Sequence, residues 1–171
     1  MTTPTPTAYD SISRFFHWIM ALCFAIMLAT AVLFFIEADI PNLMNLHKSV
    51  GSLLILLAVL RLLWAITKAR RPAADNAAAK LGHLALYVLM LAVPAIALIR
   101  QYGGGRGPLK VFGIEVMQGS PEKIEWMTQL GNQWHSTLAW ILFALAAGHI
   151  AMAVIHQIKG EKIMQRMIGR Q

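Results

Sequence analysis

The chain has 171 residues, 57% of them hydrophobic and only 13% charged, with a mean hydropathy of +0.57. Soluble globular domains carry about 25% charged and about 45–50% apolar residues, so the composition excludes that class, and intrinsic disorder with it. The single cysteine, Cys23, excludes a disulfide scaffold, a zinc ribbon and a covalently attached c-type haem, which needs Cys-x-x-Cys-His. What remains is an integral membrane protein. Its formal charge of +7 does not point to nucleic acid, because the Lys and Arg residues flank apolar segments rather than cluster on a solvated face.

Four stretches have the length and apolarity of a membrane helix, and they are expected to build an all-α, four-helix bundle from one domain spanning residues 1–171. The first is read as 15–36, without any Asp, Glu, Lys or Arg between Arg14 and Glu37. The polar MTTPTPT before it is no signal-peptide n-region, and the span is too long for a cleaved h-region, so it is expected to be retained. The second, 47–67, is interrupted only by Lys48 and Arg61; the third, 81–99, contains Pro94, which a membrane helix tolerates. The fourth lies in an uncharged run from Trp126 to Ile158. Its span proper is read as 134–158, and Ile124, Met127 and Leu130, at helical spacing, suggest a short helix lying on the interface before it.

Charge sets the expected orientation. The first connection carries Glu37 and Asp39, whereas the second carries Lys68, Arg70, Arg71 and Lys80 and the C-terminal tail Lys159, Lys162, Arg166 and Arg170. By the positive-inside rule both termini face the cytoplasm. The third connection is mixed, with Arg106, Lys110 and Lys123 beside Glu115, Glu122 and Glu125.

All six histidines, His17, His47, His83, His135, His149 and His156, fall in or beside these spans. Ionisable groups in a bilayer are costly and mark function. His135 and His149 are fourteen positions apart, about 21 Å and nearly four whole turns along one face. His47 and His135 therefore belong near the outer leaflet, His17 and His149 near the inner one. Two bis-histidine sites, one above the other, suit haem, for which neutral imidazole is an axial ligand. Zinc prefers three or four ligands at one depth. With both axial positions filled by protein, electron transfer is the expected chemistry. Ala21, Gly51, Ala139 and Ala153 each follow one of these histidines by four positions, leaving room on the same face for a porphyrin. Tyr87 in that position crowds His83; Gly160 leaves His156 open as an alternative to His149. Arg61, fourteen positions after His47, reaches the inner level, to bind a haem propionate or to snorkel to the interface. The Trp residues suit an interfacial belt.

The segments Ser-Arg-Phe-Phe-His-Trp at His17, Leu-His-Lys-Ser-Val-Gly at His47, Leu-Gly-His-Leu-Ala-Leu-Tyr at His83, Trp-His-Ser-Thr-Leu-Ala-Trp at His135 and Gly-His at His149 recur in order along the chain. In this the sequence resembles the bacterial cytochrome b561 family of dihaem membrane cytochromes. The resemblance implies two haem b groups, one held by His17 with His149 and one by His47 with His135. It also implies an inner-membrane electron carrier, with ubiquinone as acceptor. One member of that family is a superoxide oxidase that reduces ubiquinone, in which histidines matching His83 and His156 lie near the inner quinone site; the third connection here departs from that pattern. The expected function is transfer from a periplasmic-side donor, such as superoxide, to quinone. Alternatives are an anchor subunit for a dehydrogenase or hydrogenase, and a His-lined metal transporter, which purifies colourless.

Overall fold

The computed structural model describes residues 9–67, 77–161 and 163–169. Among them, four long helices carry the length and apolarity to cross a membrane: α1 (Ser11–Phe35), α2 (Leu43–Thr67), α3 (Ala77–Tyr102) and α4 (Glu125–Ile158), followed by a short α5 (Ile163–Ile168). The four-helix expectation holds, with ends that differ. Lys68, Arg70, Arg71, Lys162 and Arg170, on which part of the orientation argument rests, lie outside the described residues.

Helix α1 starts where Asp10 caps it, its carboxylate accepting from the Ser13 amide at 3.0 Å and from the Ser13 hydroxyl at 2.8 Å. The helices form two antiparallel pairs, α1 on α2 and α3 on α4, joined mainly through α2 and α3. Met20, Cys23, Val50, Leu54 and Ala58 form the buried seam of the first pair. Elsewhere large apolar side chains face outward; Phe35 is 76% exposed and Ile158 80%. Such faces are unstable in water and stable against lipid.

The third connection holds two features that the sequence reading did not contain. Residues Leu109–Val111 (β1) pair antiparallel with Ile114–Met117 (β2). Phe112 (φ 49) and Gly113 (φ 86) fill the turn, and positive φ at both central positions is what a tight hairpin demands. The hairpin lies on the first turns of α2: Leu109 is buried and the Phe112 amide donates to Ser49 Oγ at 3.0 Å.

The second feature corrects the surface-helix expectation. Glu125 to Ile158 is one helix of 34 residues, about 51 Å long against a hydrocarbon core of about 30 Å. Its first turns continue the span because they are packed. Thr128 and Gly131 are buried, Met127 lies against Gly103, and the Arg100 side chain lies directly over Gly131, where any Cβ would collide with it. Met127 thus packs against α3 rather than against lipid headgroups. The 36–42 connection, the hairpin and these extra turns make one end of the bundle, called here the hairpin end. The start of α1, the end of α2 and α5 make the other, the terminal end.

Candidate functional site

At the hairpin end α2 presents His47 and α4 presents His135, their ring centroids 6.2 Å apart and their planes at 85°. A metal bound about 2 Å from one nitrogen of each of two imidazoles holds the centroids roughly 6 Å apart, so the spacing fits one iron between them. The hydrogen bonds say which nitrogens are free. His135 Nδ1 lies 3.1 Å from the Val93 carbonyl oxygen, which can only accept, so Nδ1 carries the proton and donates. Thr30 Oγ1 donates to the Met27 carbonyl at 3.0 Å and lies 2.8 Å from His47 Nδ1. Its one proton being engaged, the hydroxyl accepts, and His47 Nδ1 carries the proton as well. Both Nε2 lone pairs are left for a metal, the outer-shell arrangement that metal-binding imidazoles adopt. Phe34 closes against the His47 ring at 5.3 Å.

The terminal end is built differently. Arg61 Nη1 lies 3.5 Å from His17 Nδ1, and the guanidinium sits 5.8 Å from the centre of the Tyr87 ring. His17 feels both Arg61 and His149 electrostatically, and Trp18 stands edge-on to it at 5.4 Å. The His149 ring meets His83 at 5.3 Å. His156 is drawn elsewhere: its Nδ1 pairs with Glu161 Oε2 at 2.8 Å. At this end His17 lies beside Arg61 and His149 beside His83, while His83 and His156 make separate contacts. Here the residue types suit a haem, while the neighbours are charged or titratable rather than neutral acceptors. Between the two levels, Phe24 and Phe143 pack edge to face at 5.0 Å. Among the described residues no three His, Cys, Asp or Glu side chains converge as a metal cage.

Gly51, expected to leave room beside His47, faces the tip of Met27 at 3.3 Å from a Cβ built there. Sequence reading missed Thr30, a lone hydroxyl in an apolar run, and the Val93 carbonyl, a main-chain acceptor with no signal in its side chain. It also missed Arg100. That residue lies over Gly131 and acts electrostatically on His135, while Lys48 feels Arg106 and Arg100 electrostatically. Among the described residues these three cations make no ion pair, whereas Lys123 is neutralised by Glu125 at 2.8 Å. Lys110 lines a groove with Asn42, Asn45, Ser49 and Phe112, between the hairpin and the start of α2.

A membrane-spanning helical bundle with imidazoles paired across facing helices defines a membrane cytochrome b. Residues 8–170 match the family model for prokaryotic cytochrome b561, and the chain belongs to that family. It is 31% identical over 179 residues to cytochrome b561 homolog 2 of Escherichia coli (strain K12), a match covering 98% of this chain and 95% of that protein. The protein is a multi-pass bacterial membrane cytochrome whose cofactor is haem b and whose chemistry is electron transfer.

Proposed function

We propose that the protein carries electrons across the inner membrane from a periplasmic-side donor to ubiquinone, using two haem b groups. The observation that carries this reading is the facing pair His47 and His135, at 6.2 Å with both Nδ1 atoms engaged. His17 and His149 form the second pair. Haem b supplies a one-electron carrier at each level, and bis-imidazole ligation keeps oxygen from the iron. The engagement of His156 by Glu161 supports His149 as the partner of His17.

The hairpin end is assigned to the periplasm and both termini to the cytoplasm, following the lack of Lys and Arg in the first connection and their excess in the second connection and C-terminal tail. There Lys48, Arg100 and Arg106 attract an anionic donor, of which superoxide is the smallest. At the terminal end His83 and His156 supply imidazoles to hydrogen-bond a quinone oxygen and deliver its protons. Arg61, beside His17, is placed to hold a propionate.

Pyridine-haemochrome quantitation against protein tests the core of this reading. Two low-spin, six-coordinate haems per chain are expected. One haem per chain, or a high-spin spectrum from intact protein, overturns the two-site arrangement, and a colourless preparation favours metal transport instead.

A further inference from the structure

The two hairpin-end histidines are held by different kinds of acceptor. His135 leans on a backbone carbonyl of α3, at Val93, while His47 leans on a side chain of α1, the Thr30 hydroxyl. Thr30 is 2% exposed, its hydroxyl fixed by donation to Met27 in its own helix. That donation makes Thr30 a directional acceptor, because the only proton of the hydroxyl already points away from His47. A backbone carbonyl survives any substitution; the Thr30 hydroxyl is removable by one.

We infer that Thr30 is a positioning residue for the hairpin-end haem: it orients the His47 ring with Nε2 toward His135 and sets how strongly that nitrogen donates to the iron. The inference rests on His47 and His135 being the axial ligands of one haem. An acceptor on Nδ1–H raises the basicity of the opposite nitrogen, which favours ferric over ferrous iron and lowers the potential. Without the hydroxyl, His47 donates less and its ring loses one of its anchors, keeping the contact with Phe34. The haem at this end then becomes easier to reduce and easier to lose.

The test uses the full chain purified with its haem, comparing Thr30→Val with Thr30→Ser. Val keeps the branched shape and removes the hydroxyl; Ser keeps the hydroxyl. Spectroelectrochemical titration resolves the two haems. In Thr30→Val, one of them should show a reduced-to-oxidised ratio about tenfold higher at fixed ambient potential, about 59 mV for one electron, with the other unchanged. Haem retention at that site should fall about tenfold against an external haem acceptor. Thr30→Ser should match the parent in both readouts. Unchanged potentials and retention in Thr30→Val overturn the inference, as does a Ser variant that shifts as far as Val. Should Thr30→Val fail to accumulate, Thr30→Ala removes the same hydroxyl and is read by the same criteria. His47→Ala separates the two levels of the argument. If it keeps both haems, the ligand assignment fails; if it loses one while Thr30→Val shifts nothing, only the role of Thr30 fails.

Discussion

The two ends of the bundle hold similar imidazoles in opposite surroundings. At the hairpin end His47 and His135 face each other, each with Nδ1 on a neutral oxygen that fixes its tautomer. At the terminal end His17 has a guanidinium at Nδ1, His149 a second imidazole against its ring, and His156 a carboxylate. Neutral acceptors fix the ring tautomer without adding a titratable group, which suits a site that only passes electrons. Charged and titratable neighbours make electron uptake responsive to protons, which suits a site where a quinone is reduced and takes up protons. The contrast fits the proposed direction, with electron entry at one end and proton-coupled exit at the other.

Removing a ligand is the largest perturbation of this contrast. His135→Ala should halve the haem content measured as pyridine haemochrome and leave the spectrum of the remaining haem intact. His17→Ala should do the same with the complementary haem, so that the two difference spectra sum to the parent. If either variant loses both haems, the two ends are not independent sites and the comparison collapses.

A smaller effect should come from the seat of Arg100. Gly131→Leu pushes a side chain into the space that Arg100 fills, and overpacking of this kind costs about 1–3 kcal/mol. Thermal unfolding in detergent, followed by haem absorbance, should show the hairpin-end haem released at lower temperature while the terminal-end haem melts later. Simultaneous loss of both would mean that α3 and α4 transmit the strain along the whole bundle.

How much of this is legible in sequence varies by residue. The spans are legible because lipid imposes a length and an apolarity that no soluble fold needs, and the histidine levels follow from helix rise alone. Helix packing outside the membrane is not legible. Met127 reads as an interfacial stripe because nothing local says that Gly103 stands opposite it. The hairpin at 109–117 hides in a short run whose only local sign is Phe112-Gly113. Thr30 and Arg100 act through residues seventeen and thirty-five positions away, so their roles appear only once α1 meets α2 and α3 meets α4. His156 looks equivalent to His149 until Glu161 is seen beside it.

The role of His83 sharpens the terminal-end half of the contrast. His83→Ala removes the imidazole against His149 and leaves the proposed ligands themselves unchanged. Both haems should remain, with electron transfer to a soluble ubiquinone analogue slowed about tenfold, less than the roughly 10²–10⁴-fold a sole general acid–base group contributes because His156 remains. The slowing should be greatest above pH 7, where fewer solvent protons substitute for the lost group. Loss of a haem in this variant would make His83 a ligand and exchange its role with that of His149.

The smallest expected effect concerns entry. Lys48 interacts electrostatically with Arg106 and Arg100, Arg100 acts on His135, Lys123 is paired with Glu125, and Glu115 is held by Gln118. These cations are the proposed source of a local positive field, and a field acts on on-rates rather than on the chemistry that follows. Reduction of the haem by superoxide in rapid mixing should slow severalfold as ionic strength rises from about 0.01 to about 0.1 M, because the Debye length shortens from about 30 to about 10 Å. Arg106→Gln should flatten that dependence while leaving the high-salt rate near the parent value, since screening already removes its contribution there. A neutral reductant of similar potential should show no such dependence with either protein. Salt-independent reduction by superoxide would remove the cations from donor capture, and reduction only from the face bearing the termini in oriented vesicles would reverse the direction of flow.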